Sequence, residues 1–304
     1  MPRLRPFLWV AGALVAGAVL LALVLYLGAR GGPSAFAPPP EPNGYLVLVQ
    51  AAAPLRPPPD GFRKLADDVL EPVVAGNRDA LVQVRFALQQ PGAVPVMFSE
   101  SWFARAHSAE VMGLKQAARA LQAEAEWHQR RGDTHAALLA SLDGLRLSET
   151  TQRGGVLIDH LVGMAGETMA WMVLTNVTGH LTGADCRTAS RALEEFESRR
   201  EPFAAIQRRE REWSRRSYGA FQRLGHVIRS RTLGVDPGTR QAESNAVARL
   251  QQRIRENNDL LLRLAARAHT LEKGAPPARA ADLVPAYLQR VPVDPATGQS
   301  LELP

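Results

Sequence analysis

The sequence predicts an all-α protein with an N-terminal transmembrane helix and a small C-terminal β-hairpin. Three observations predict it. Residues 7–27 form an apolar run without a single charge. From 60 to 273, apolar residues recur at spacings of three and four between capping and breaking signals, the mark of amphipathic helices. Near the C-terminus, Asp294, Pro295 and Gly298 stand at turn positions between two short extended stretches.

The apolar run FLWVAGALVAGAVLLALVLYL would rise about 31 Å as a helix, close to the roughly 30 Å of a bilayer core. Arg3 and Arg5 precede it and Arg30 follows, which favours a cytoplasmic N-terminus and an exported remainder. It is too long for a secretory signal's apolar region, and Pro38 directly follows the cleavage-like Ala35-Phe36-Ala37. The expectation is a single-pass bacterial inner-membrane protein, with 1–30 as stub and anchor and the bulk periplasmic. A Pro-rich spacer covers 31–60, within which Asn43 caps a short helix over 45–53.

Helices are then expected over 62–76 and 77–90, the second capped by Asn77, with Pro91-Gly92 as a break. A long helix follows over 101–131. Gly132 ends it and Asp133 caps the next, 134–151. Gly154-Gly155 precedes the most apolar one, 156–181, and a further helix spans 184–200. Together these make a helical domain over 61–200. The segment 201–273 reads as an antiparallel helical hairpin. Phe203, Ile206, Glu210, Trp213, Ser217, Ala220, Leu224 and Val227 form one heptad seam, and Val247, Leu250, Ile254, Asn257, Leu261, Leu264, Ala268 and Leu271 another. Folded back, Val227 would face Val247, Leu224 Leu250, Ala220 Ile254 and Trp213 Leu261, with Ser217 and Asn257 in one polar layer. Glu210 would reach Arg263 or Arg267. In the tail, 274–304, the turn at Asp294 to Gly298 predicts a two-stranded hairpin packed on the helices.

Composition excludes several chemistries. Cys186 is the only cysteine, so there is no internal disulfide and no multi-cysteine zinc site. Three Lys stand against 33 Arg, a bias of genome composition more than of guanidinium chemistry. His-Glu-x-x-His, Gly-x-Ser-x-Gly, phosphate-binding and dinucleotide fingerprints are absent. No cofactor and no metal are expected, and no catalysis.

Around 283–295 the residues Leu283-Val284-Pro285, Tyr287-Leu288 and Pro292-Val293-Asp294-Pro295 resemble the C-terminal end of type II secretion major pseudopilins, where such a segment closes the fold. The resemblance covers the tail. The apolar run begins Pro6-Phe7-Leu8-Trp9 and holds no Glu, unlike a pseudopilin's start. The chain as a whole resembles a group of uncharacterised bacterial proteins with one span and a helix-rich domain, through Arg131-Gly132-Asp133, Leu145-Arg146-Leu147, 154–159 and Leu161-Val162-Gly163. The stretch 123–147 resembles one tetratricopeptide helix pair, so the domain is expected to be partly tetratricopeptide-like. These resemblances imply architecture, and the tail implies an accessory role in a secretion or pilus-like machine.

Two places attract a functional reading. Asp159 and His160 lie in an apolar helix with Glu167 farther on, where buried charge needs a partner; Arg119 and Arg146 are candidates. Either these groups interlock the core or they line the pocket of a hydrolase or binding protein. The segment 199–231 carries ten Arg against three Glu, a balance of +7 where the whole chain has +6. Arg208, Arg209, Arg211, Arg215 and Arg216 are the candidate surface for an anionic partner: an acidic protein face, lipid headgroups or a cell-wall polymer. The alternative is a solvated face of Glu–Arg pairs. Nucleic acid is not expected. The leading expectation is a membrane-anchored helical scaffold that meets a protein partner.

Overall fold

A computed structural model describes residues 34–218 and 237–303, the side chains of 237–243 excepted. Pro38–Pro304 forms one compact unit. Its described part contains eight α-helices: α1 (Gly44–Ala52), α2 (Asp67–Leu88), α3 (Ser108–Arg130), α4 (Thr134–Gln152), α5 (Leu157–Val177), α6 (Gly183–Ser198), α7 (Phe203–Ser217) and α8 (Pro237–Lys273).

Local signals explain most of the boundaries. Asn43 accepts the Tyr45 N–H at 3.1 Å and its amide donates to Ala93 O, so one cap starts α1 and ties down the loop after α2. Asp133 accepts from Ala136 N–H at 3.0 Å and starts α4. Thr182 and Asp185 cap α6 reciprocally. Gly132, at φ +78°, makes the left-handed turn that folds α4 back onto α3.

α5 lies at the centre, against α4, α3 and α8. Small residues let α4 and α5 approach closely. A Cβ on Gly163 would stand 2.2 Å from Gln152 Cγ, and one on Gly166 2.8 Å from Ser148 Oγ. One apolar core joins α4, α5, α6, α8 and the tail through Leu138, Leu174, Leu193, Leu260 and Leu283. A second joins α1, α2 and α3 through Tyr45, Leu81, Val84 and Leu121.

Several expectations need correction. Asn77 does not cap a helix. α2 runs through it, and its buried side chain bonds both the N–H and the carbonyl of Arg56 at 2.8 Å, fastening the preceding loop. The helix expected from 101 opens with a π-turn, Trp102–His107, before α3. The described residues of 201–273 pack otherwise than in the expected antiparallel pairing. α8 lies mainly on α6, and Leu261, Leu264 and Ala268 of its seam are buried there. Trp213 instead meets Phe103, with ring centroids 4.7 Å apart. Asn257 donates to Glu167 at 2.6 Å and to Glu197 at 2.5 Å, not to Ser217. A heptad stripe specifies which face is buried and leaves the partner open. The seam positions Ala220, Leu224 and Val227 lie outside the described residues.

The C-terminal β-hairpin is also corrected. Asp294 accepts from Ala296 N–H and its backbone carbonyl from Gly298 N–H, both at 2.8 Å, so the turn forms. Pairing stops at the isolated bridge between Val293 and Ser300, and no strand occurs among the described residues. Pro292 and Pro295 carry no N–H and cannot extend a ladder.

No helix among the described residues is long and apolar enough to cross a membrane. The transmembrane helix expected at 7–27 lies outside the described residues. The expectation of a single-pass inner-membrane protein with a periplasmic bulk is corrected for the described residues, none of whose helices spans a membrane. Even α5, the most apolar helix expected, buries Asp159, His160 and Glu167 and sends Ala170, Val173, Leu174 and Val177 into the core.

Candidate functional site

Asp159 is the third residue of α5. Its Oδ2 accepts the Val156 N–H at 2.8 Å, closing the helix's N-terminal end. Its Oδ1 lies 2.8 Å from His107 Nε2, and both residues are 0 % exposed. The approach is short but not aligned as a hydrogen bond; with the imidazole protonated the two side chains form an ion pair. The π-turn aims His107 inward. There Trp102 stacks on the imidazole at 4.3 Å, and Glu110 Oε2 lies 3.4 Å from Nδ1. Burial pulls the imidazole's pKa down, but Asp159 and then Glu110 more than offset it, and His107 ends above its ordinary value. Tyr45 faces the same cluster. Burial, then the charges of Asp159 and Glu110, push its hydroxyl far above the usual phenol range.

His160 points the other way. Its Nε2 lies 3.3 Å from Glu201 Oε2 and 3.5 Å from Arg209 Nη2. Burial raises the Glu201 carboxyl, but His160 and Arg209 hold it below its ordinary value. Arg209 Nε donates to Gly155 O at 2.8 Å, and its Nη2 donates to Glu201. Next to it, Glu210 accepts the Leu157 N–H at 2.9 Å rather than meeting Arg263 or Arg267. α7 is therefore fastened to the start of α5 by two consecutive side chains. Glu167, 0 % exposed, takes bonds from Arg200 at 2.7 Å and from Asn257. Burial drives its carboxyl upward, against the pull of Arg200.

Asp159, His160 and Glu167 thus have partners, although not those expected. Arg119 bonds Pro58 O and Asp60, and Arg146 bonds Asp143. Sequence reasoning missed His107, whose only signal was its place between Trp102-Phe103 and a helical stretch. His160 lines a recess of about 30 Å³ with Gln152 and Glu201, enough to admit water. His128 and His135 diverge, to Asp133 at 3.6 Å and Asp185 at 2.7 Å. Among the described residues no group of three His, Cys, Asp or Glu could hold a metal ion.

The basic segment divides by face. Ile206, Arg209, Glu212 and Trp213 are buried, and the Trp213 indole donates to Met97 O at 3.0 Å. Arg216 lies over the Phe98 ring at 3.4 Å and bonds Glu212. Arg208, Arg211 and Arg215 are exposed. Their spacing puts all three within about 60° of one another around the helix. None of them has an ion-pair partner among the described residues, and the nearby Glu201, Glu210 and Glu212 are engaged elsewhere. Of the five arginines expected at this surface, three form a ridge and Arg209 is a fastening.

Two concavities flank α8. A cleft of about 700 Å³ lies between α6, α8 and the tail, with Phe203, Leu250, Ile254, Leu261, Pro292 and Val293 among its walls. A groove of about 260 Å³ runs between α5 and α8.

In comparison with known proteins, no family model matches the chain, and neither a curated protein nor a solved structure is similar to it.

Proposed function

We propose that this chain is a non-catalytic helical interaction protein that offers the ridge of Arg208, Arg211 and Arg215 to an acidic protein partner. One observation supports the reading above others: α7 is held by its inner face while three arginines on its outer face have no carboxylate partner among the described residues. A merely solvated face would interleave Glu and Arg at spacings of three or four, as Glu212 and Arg216 do. Here the glutamates that could have served the ridge are used to fasten the helix. Exposed ion pairs are weak singly, so a cluster on a rigid helix is what gives an anionic partner steering and register.

The reading is tested by fluorescence anisotropy with labelled polyglutamate, comparing the wild-type chain with Arg208→Ala/Arg211→Ala/Arg215→Ala at matched circular dichroism. The expected result is a loss of roughly tenfold or more in affinity (about 1.4 kcal/mol), and weakening of the wild-type complex as salt rises. Equal affinity of the two proteins would contradict it.

A further inference from the structure

The inner face of α7 is fastened by two routes that converge on one buried pair. The first runs through backbone. Arg209 Nε donates to Gly155 O at 2.8 Å, and Glu210 accepts the Leu157 N–H at 2.9 Å. Val156, between those two residues, donates its N–H to Asp159 Oδ2 at 2.8 Å. Asp159 thus braces from within the three residues that α7 grips from outside. The second route is aromatic. Trp213 of α7 meets Phe103 with ring centroids 4.7 Å apart, and Phe103 lies 6.0 Å from His107, on which Trp102 stacks at 4.3 Å. Both routes end where His107 Nε2 and Asp159 Oδ1 stand 2.8 Å apart. Glu110 of α3 and Tyr45 of α1 face the same pair. From α7, Arg209 and Glu210 bond the backbone on either side of Val156 instead. His160, the other histidine of this fastening, points away to Glu201 and Arg209. Among the described residues Asp159 has no Lys or Arg partner, so the His107 imidazolium is its one countercharge.

We infer that the His107–Asp159 pair is a proton-controlled latch on the ridge helix: while His107 carries its proton α7 stays fastened and the ridge keeps its spacing, and when the proton leaves, α7 loosens and the ridge is lost as a unit. The inference rests on the proposed function for its effect on binding, while the fastening stands apart from it. A neutral imidazole leaves a carboxylate that is 0 % exposed, with the Val156 N–H as its one hydrogen-bond donor and Glu110 close by. A buried charge stripped of its counter-ion is costly. Admitting water relieves it, and water enters only by parting the 102–107 turn from 155–157, the two pieces that α7 is fastened to. Burial opposes the imidazolium, but Asp159 and then Glu110 outweigh it, so His107 titrates above its ordinary value. Release therefore falls on the alkaline side. With about two thirds of the molecules released, apparent affinity for an anionic partner falls about threefold.

The test is hydrogen exchange by mass spectrometry on the full chain from about pH 6 to about pH 9 at constant ionic strength, corrected for the intrinsic pH dependence of exchange. Protection over 203–217 should fall about threefold or more across that range, while 183–198, packed on α8, keeps its protection. His107→Gln should show the lowered protection of 203–217 already at the acid end and little further change. Glu110→Gln, a milder change on a partly exposed side chain, should move the transition to lower pH, and it decides the matter if His107→Gln does not fold. Anisotropy with labelled polyglutamate should follow the same curve in the wild-type chain. Level protection of 203–217, a fall shared equally by 183–198, or a fall that persists in His107→Gln would overturn the inference. Exchange is read without any ligand, so level protection with firm polyglutamate binding sinks the latch alone, and a working latch without polyglutamate binding sinks the ridge alone.

Discussion

Replacing His107 with Ala removes one half of the most deeply buried ion pair in the described structure. The Asp159 carboxylate would remain 0 % exposed, with the Val156 N–H as its sole remaining hydrogen-bond donor. Breaking a buried pair in this way costs about 3–5 kcal/mol. Lost stacking on Trp102 adds to that loss. Against a typical domain stability of roughly 5–15 kcal/mol, the change is large. It should lower the melting temperature by roughly 6–20 °C. The sign of the pH dependence follows from the raised pKa of His107, where burial disfavours the imidazolium but Asp159 and then Glu110 outweigh it. The folded chain holds that proton more tightly than the unfolded chain. The pair's contribution is thus complete below about pH 6.5, the unfolded value, and fades as pH rises through the folded one. Urea unfolding from pH 6 to pH 9 should show wild-type stability declining on the alkaline side and His107→Gln declining less. A double-mutant cycle with His107→Leu and Asp159→Asn should give a coupling of at least ~1 kcal/mol. Destabilisation of His107→Ala below ~1 kcal/mol, or no coupling in the cycle, would refute the reasoning.

Gly163→Ala should destabilise by about 1–3 kcal/mol through overpacking, because the added methyl meets Gln152 Cγ in the tight α4–α5 interface. A melt showing the stabilisation that helix propensity alone would give would contradict this. Glu272 grips Arg187 and the Tyr287 hydroxyl, joining the tail to α6 and α8. The Arg187 bond, ahead of burial's opposing pull and the Tyr287 bond, holds its carboxyl down to about 2. That contribution is present above the ordinary glutamate value and is lost as pH falls through about 2. Glu272→Gln should therefore speed limited proteolysis within 284–303 at neutral pH, and unchanged cleavage would count against the clasp.

Much of the helical layout was legible because capping chemistry is local. Asn43, Asp133 and Thr182 each start a helix where a short polar side chain precedes a periodic run. The same rule misled at Asn77, whose amide serves a distant loop. Nothing local distinguishes that use from a cap. The α8 stripe was visible, but its partner was a tertiary choice, and α6 supplied Cys186, Ala189 and Leu193 where a pairing with α7 was expected. At the candidate site, buried charge at Asp159, His160 and Glu167 predicted partners without naming them. His107, Glu201 and Arg200 stand 33 to 52 residues away from them in sequence. The arginine surplus was plain from composition. Only the helix's orientation separated the ridge residues from Arg209, one position away from Arg208 and buried.

That separation is the most direct test of the account. Arginine-specific labelling with phenylglyoxal, read by peptide mass spectrometry, reports the accessibility of each guanidinium. Arg208, Arg211 and Arg215 should react fast, Arg209 and Arg200 slowly, and a polyglutamate peptide should protect the first three. Labelling of Arg209 as fast as Arg211, or a ridge left unprotected by the peptide, would contradict it.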